Sequence, residues 1–340
     1  MNGLITTIMD VKQIDINFSA EVKVKTQGLL EIIDVTLRDG GYVNNFHFDE
    51  EDVSSIIHHL DNARISYIET GYIKGLSFDI KNCGLTSNIT PQLFARLKAI
   101  PRNAKLGVMA HPKNVVCDDI SRLVDEGLDL VRICITPQNI EKALPLISFS
   151  KKRNLKVCAN FVRISRFSLR DVINNMRLCE ESGADVIYAA DSLGNMQPQD
   201  VTSLISGMKA LLTKDIGFHP HDNLGLASVN ALTAIEQGAN IIDGSLLGMG
   251  KGGGNLRTEI IAHLLMNKSE RFRCKLDIES LIEAASYVNK YRLENTNKGG
   301  DLFQAFLAMK NLTLEEGDII YQNALSKNSV GWVERIAGNT

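Results

Sequence analysis

The chain has 340 residues, 44% of them hydrophobic, enough for one large α/β domain or two small ones. Its formal charge of -3 is nearly balanced, which leaves no electrostatic case for nucleic acid or an anionic membrane surface as partner. No apolar run is long enough to span a bilayer. The opening MNGLITTIMDVKQ lacks the basic region, long apolar region and small-residue cleavage site of a signal peptide. Six cysteines (Cys83, Cys117, Cys134, Cys158, Cys179, Cys274) are scattered without a CxxC pair, so a structural zinc site is not expected. Cys134 and Cys158 lie in apolar runs and read as buried thiols, consistent with a reducing, cytoplasmic setting.

Residues 1–28 form an N-terminal extension in which IDINFSAEVKV alternates weakly, as an extra strand or hairpin does. From residue 29 the chain alternates short β-type runs with amphipathic stretches. The strand candidates, in order, are LLEIIDVTL, ISYIET, AKLGVMA, DLVRICI, LKVCANF, DVIYAA, IGFHPH and NIIDGSL. Helical patterns such as EEDVSSIIHHLDNA and LRDVINNMRLCEESG lie between them, and Gly127, Gly183 and Gly238 stand where helix C-caps are expected. Strict βα alternation implies a parallel sheet with right-handed crossovers. Eight such units over roughly 240 residues predict a closed (β/α)8 TIM barrel across residues 29–274. A doubly wound open sheet is the alternative, but Arg38-Asp39 stands where it would carry a Gly-rich turn. Residues 275–340 read as a helical segment, a cap or an oligomer contact.

Barrel enzymes place their chemistry at the C-terminal ends of the strands. Here those ends collect Thr36, Arg38, Asp39 and Tyr42, then Glu69, Tyr72 and Lys74. Later strands end at His111, at Asn160 and Arg163, at Asp191-Ser192, and at His219-Pro220-His221. Side chains two apart on a strand share a face, so the two imidazoles project together. With Asp39 they make a two-His, one-carboxylate set that leaves positions open on a divalent ion. Arg38 and Asp39 serve one site only if the backbone curls off the strand, a turn that Gly40-Gly41 would permit. The segment GMGKGGGN is either a phosphate cradle or, as we favour, a tight loop that passes close to the metal and reaches Asn255 as a further candidate ligand. Glu69, Asn160, Asp191 and Lys74 are candidate substrate contacts. His47, His58 and His59 read as structural or surface residues. No lysine stands at the end of the sixth strand and Lys156 is at the wrong end of the fifth, which argues against Schiff-base chemistry.

The stretches DVTLRDGG, ADSLGNMQP and FHPHDNLGLASVNALTAIEQGANIIDGSLLGMGKGGGN resemble the metal-dependent pyruvate-type aldolases and Claisen enzymes on TIM barrels. That group, the HMG-CoA lyase-like enzymes, includes 4-hydroxy-2-oxovalerate aldolases and the isopropylmalate and homocitrate synthases. The resemblance covers about residues 29–266, and the spacing around the eighth strand is most similar to the 4-hydroxy-2-oxovalerate aldolases. It implies Mn²⁺ or Mg²⁺ on Asp39, His219 and His221, with Asn255 as an extra ligand, and Arg38 stabilising an enolate oxygen. It further implies a 2-oxo acid and an aldehyde as reactants and a homo-oligomer, most simply a dimer. The chain departs from these aldolases at Tyr42 and Tyr72, where they usually carry His, one of them an acid/base catalyst in a DGxH pattern. A phenol relays a proton, but its ordinary pKa of about 10 makes it the poorer base. An acyl-CoA-dependent synthase is the rival reading, against which Gly41 counts, since those enzymes often continue RDGE. A non-catalytic derivative of the barrel is the second rival, and an iron oxygenase on the same ligand set the third.

Overall fold

A computed structural model describes residues 30–75, 82–266, 276–294 and 301–326. The extra strand expected within residues 1–28 lies outside the described residues. Eight parallel strands close into a barrel in sequence order: β1 (Glu31–Asp34), β2 (Tyr67–Ile73), β3 (Lys105–Ala110), β4 (Leu130–Ile135), β5 (Lys156–Phe161), β6 (Val186–Asp191), β7 (Asp215–Pro220) and β8 (Ile241–Gly244). Closure comes from β1 against β8, in register from Glu31 with Ile241 to Asp34 with Gly244. The crossover helices are α1 (Glu50–Asn62), α2 (Pro91–Lys98), α3 (Cys117–Asp125), α4 (Ile140–Lys152), α5 (Leu169–Glu181), α6 (Pro198–Leu211), α7 (Ala227–Glu236) and α8 (Thr258–Met266). The barrel replaces the open-sheet alternative.

The strands are buried on both faces, which is why LVRICI in β4 reads as a nearly continuous apolar run. Outward side chains such as Ile68, Val131, Ile187 and Ile242 pack into the helix layer. In α1, Val53, Ile56, Ile57 and Leu60 recur at helical spacing and bury one stripe against it. Truncating such a residue, Ile56→Ala for example, costs about 2–5 kcal/mol. Glu50, Glu51 and Asp52 complement the positive end of the same helix. Gly127, Gly183 and Gly238 have φ of 88°, 106° and 105°, the left-handed stop that the sequence anticipates.

The interior is layered. Ile33, Tyr67, Leu130, Cys158, Val186, Tyr188 and Ile241 fill its lower part as an apolar cluster. Tyr188 needs a glycine beside it, because a Cβ on Gly217 would lie 2.3 Å from its ring. Glu69, Arg132, Asn160, His219 and Asp243 follow the same inward alternation nearer the C-terminal ends. Among the described residues, three further helices follow the barrel: α9 (Ile278–Glu294), α10 (Asp301–Met309) and α11 (Leu314–Ser326). The α9 helix packs beside α1, where the Tyr291 hydroxyl accepts from the Asp49 N–H at 2.9 Å. Residues of α10 and α11 instead line the mouth of the barrel.

Candidate functional site

Directly after β1 the backbone leaves the sheet. The N–H groups of Arg38, Asp39 and Gly40 all donate to the Val35 carbonyl, at 3.1, 2.8 and 3.2 Å. Asp39 takes right-handed helical angles, φ -77° and ψ -35°. The curl that brings Arg38 and Asp39 to one site therefore begins at Val35, ahead of the glycines credited with it from sequence. Neither Gly40 nor Gly41 has positive φ. Gly41 is needed for close packing, since a Cβ there would lie 2.2 Å from the Phe46 ring.

The inward alternation of β7 presents His219, and His221 follows on the same face just past the strand. His219 Nδ1 lies 2.8 Å from Asp243 Oδ2, and His221 Nδ1 lies 3.1 Å from the carbonyls of both Lys251 and Gly254. A carboxylate and a carbonyl only accept, so each Nδ1 carries the proton and each Nε2 presents a lone pair. The two Nε2 atoms face each other at 3.2 Å. Lone pairs so placed repel unless a cation lies within reach of both. Asp39 Oδ2 is 3.9 Å from His221 Nε2, and the ligand atoms of the three residues lie within 4.8 Å of one another. Burial pushes His221 down to about 4, so it is neutral at pH 7. Burial acts to raise Asp39, but the Arg38 charge beside it holds its carboxyl well below the usual range. Two imidazoles and one carboxylate suit a divalent cation. Asn255 Nδ2 donates to Asp39 Oδ2 and to the Met249 carbonyl, both at 2.9 Å. Its buried Oδ1 has no partner among the described residues. The residues present thus fit a divalent metal.

Beneath the triad lies a buried ionic layer. Arg132, 0% exposed, donates to Glu69 at 3.2 Å, Asn160 at 3.1 Å and Asp243 at 2.6 Å, and lies 4.3 Å over the Tyr188 ring. Glu69 also accepts from Arg38 Nε at 2.8 Å. A continuous chain therefore runs from Arg38 through Glu69, Arg132 and Asp243 to His219. It fixes both the arginine beside Asp39 and the tautomer of His219. Burial opposes the Arg132 charge, and the Asp243 and Glu69 carboxylates overcome it.

Above the triad is a cavity of about 290 Å³ whose wall includes Tyr42, Tyr72, His111, Asn160, Arg163 and Lys251. Burial pushes both phenols above their ordinary 10. The other anticipated substrate contacts do not reach this wall. Glu69 is sealed beneath Arg38, and Asp191 accepts from the Asn195 and Met196 N–H groups at 3.2 and 3.1 Å. Lys74 pairs with Asp119 at 2.8 Å on the outside. Sequence reasoning missed Lys251 and the roof residues Gln304, Leu307, Leu314 and Glu315. Lys251 was legible as the one cation inside the GMGKGGGN loop, whereas the roof residues carry no local pattern.

Comparison with known proteins agrees with this geometry. The HMGL-like family profile matches residues 29–288. A 4-hydroxy-2-oxovalerate aldolase of Geobacillus genomosp. 3 is 30% identical over 259 residues, 76% of each chain. An oxaloacetate decarboxylase of Mycobacterium tuberculosis is 28% identical over 255 residues, 75% of this chain and 74% of that one. Among solved structures, the N-terminal domain of a putative aldolase from Bacteroides vulgatus aligns with a TM-score of 0.72 and 26% identity, covering 89% of this chain and all of that one. The carboxyl transferase domain of Rhizobium etli pyruvate carboxylase, solved with pyruvate, aligns with a TM-score of 0.70 at 17% identity over 91% of this chain and 55% of that one, a likeness of fold. With the family profile spanning the whole barrel and the Asp39, His219 and His221 cluster, this chain belongs to the HMGL-like family.

Proposed function

We propose that the protein is a divalent-metal-dependent carbon–carbon lyase that cleaves or forms a 4-hydroxy-2-oxo acid through a pyruvate-type enolate. The observation that carries this is Arg38. It is buried beside the metal ligands, its Nε is held by Glu69, its Nη1 meets Asp39 at 2.5 Å, and its buried Nη2 has no partner among the described residues. A fixed donor with nothing to bind is what a developing oxyanion requires. Mn²⁺ or Mg²⁺, held by Asp39, His219 and His221 with Asn255 beside them, would supply Lewis-acid polarisation of the 2-oxo group. Arg38 Nη2 then donates to the enolate oxygen as the C3–C4 bond breaks. Tyr42 and Tyr72, with raised pKa values, keep their protons at neutral pH and act as donors to oxygen. Asn160 closes one side of the substrate site.

The relatives named as aldolases support a 2-oxo acid and an aldehyde as reactants, and the one named as a decarboxylase supports oxaloacetate as a second substrate that yields the same enolate. No helix among the described residues is long and apolar enough to cross a membrane. We place the enzyme in the cytoplasm and expect a homodimer. The test is direct. Protein stripped of metal and reloaded with Mn²⁺ should hold about one ion per chain and release pyruvate from 4-hydroxy-2-oxovalerate, and His221→Ala should lose most of the ion. Full occupancy in an Asp39→Ala/His219→Ala double variant would overturn the metal assignment. Turnover that requires coenzyme A would shift the reading to the synthases.

A further inference from the structure

Aldol cleavage needs a group that accepts the proton of the 4-hydroxyl as the carbonyl of the leaving aldehyde forms. Most of the titratable groups around the cavity are otherwise engaged. Asp39, His219 and His221 face the metal position, Arg38 only donates, and Lys251 is paired with Glu315 at 2.9 Å. The phenols of Tyr42, partly buried, and Tyr72, buried, hold their protons. One imidazole is left over.

His111 follows β3 at the cavity wall. Its backbone is pinned, because its carbonyl accepts from the N–H groups of Asn114 at 2.9 Å and Val115 at 3.1 Å. Its ring stacks on Tyr72, centroids 5.5 Å apart and planes 21° from parallel. Tyr72 is backed in turn by Phe46, edge-on at 5.8 Å. The imidazole is thus stacked on an aromatic face, and neither of its nitrogens hydrogen-bonds a described residue. A histidine kept only for packing has its nitrogens satisfied. One that is stacked on its flat face and open at its nitrogens is arranged to exchange a proton with whatever enters the cavity.

We propose that His111 is the general base that removes the 4-hydroxyl proton, a catalytic residue for the lyase reaction and one that rests on the reading given above. The proton passes to an imidazole nitrogen, the C4–O bond becomes the aldehyde C=O, and the electrons of the C3–C4 bond pass to the enolate of pyruvate. The enolate carbon then takes one proton from solvent and the imidazolium returns one, which closes the balance. Burial, aided by the Arg38 and Lys251 charges, pushes His111 down to about 4, so the free ring is neutral and able to accept at pH 7. The same charges favour prompt release of the proton afterwards.

This assignment separates two reactions that share an enolate. Decarboxylation of oxaloacetate breaks the bond to a carboxylate and releases CO₂, with no hydroxyl proton to remove. The test therefore compares both rates in Mn²⁺-loaded His111→Phe, which keeps the aromatic stack, and in His111→Asn. Cleavage of 4-hydroxy-2-oxovalerate should fall about 10²–10⁴-fold, while decarboxylation stays within about threefold of the parent. Manganese content and the calorimetric affinity for oxalate should not change. Added imidazole should restore part of the cleavage rate in His111→Ala. The proposal is overturned if cleavage survives in His111→Phe, or if both rates fall by the same factor with manganese and oxalate binding intact. A parent protein that decarboxylates oxaloacetate but cleaves no hydroxy acid removes the lyase reading, and His111 as base with it.

Discussion

Arg132 and Lys251 are both cations paired with carboxylates, one below the Asp39–His219–His221 cluster and one above it, yet their surroundings differ completely. The side chains of Arg132 and its partners Glu69 and Asp243 are 0% exposed, and both Nη nitrogens of the arginine bond fixed acceptors. Above, Lys251 meets Glu315 at 2.9 Å with side-chain exposures of 24% and 52%, and Arg163 meets the same carboxylate at 3.4 Å with 41% and 52%. Arg166 adds a pair with Glu316 at 2.6 Å. A buried pair gives little net stability, but removing one partner strands an uncompensated charge, so its geometry is locked. An exposed pair forms and breaks at small cost. The floor is thus built to hold Arg38 and His219 still, and the roof to cover the cavity without sealing it.

The sharpest test of this contrast is Arg132→Met. It leaves Asp243 buried without its cation and Glu69 with Arg38 alone, and should cost about 3–5 kcal/mol in urea unfolding. Asp243 would take up a proton more readily, weakening the bond it accepts from His219 Nδ1–H, so His219 should be less firmly oriented and metal content should fall. A loss below about 1 kcal/mol, with metal retained, would show that the floor is no more rigid than the roof.

That floor was partly legible in the sequence. Arg132 within LVRICI, Asp243 within NIIDG and Glu69 within ISYIET are charges inside apolar strands, and all share the inward parity of Asn160 and His219. Reading parity across strands, and not only strand ends, would have joined them into one layer. The barrel and the HxH pair were legible because they rest on short-range spacing. The curl at Val35 was not, because it is made by three N–H groups converging on one carbonyl, a backbone choice that no residue type there demands. Nor was the roof. Gln304 and Glu315 reach the cavity through tertiary packing of α10 and α11, and their local sequence reads only as amphipathic helix.

Between floor and roof stands Arg38, clamped from below by Glu69 and open above at Nη2. Arg38→Ala should lower kcat about 10²-fold or more, as loss of one oxyanion donor does. Metal content should stay near normal, since Asp39 keeps its bond from Asn255. A rise in KM alone would make Arg38 a ligand for the substrate carboxylate. Tyr42→Phe probes the next level up, where the phenol ring lies under the Lys251 ammonium at 5.4 Å. With His111 as base, the hydroxyl contributes only a neutral hydrogen bond, so a loss of about fivefold is expected. A loss of 10²-fold or more would make Tyr42 the proton acceptor and His111 its neighbour.

The smallest effect is expected at Glu315, where the roof meets the centre through Lys251. The Lys251 side chain pairs with Glu315, while its carbonyl lies against His221 Nδ1 and its N–H donates to Asp39 Oδ2 at 3.3 Å. Burial works to raise the Glu315 carboxyl, but the Lys251 charge and hydrogen bond pull it from 4.5 to about 2. A carboxyl depressed on folding contributes its stability above its unfolded value and loses it as pH falls from about 4.5 toward about 2, so the tie is complete at pH 7. Because the pair is half-exposed, Glu315→Gln should change unfolding stability by less than about 1 kcal/mol. Its effect should fall on exchange with solvent. With the tie weakened, oxalate should leave the Mn²⁺-loaded protein up to about fivefold faster, the equivalent of roughly 1 kcal/mol, and stopped-flow displacement by pyruvate would measure it. An unchanged off-rate together with a stability loss above about 2 kcal/mol would place Glu315 among the fixed charges and erase the distinction between the two ends of the site.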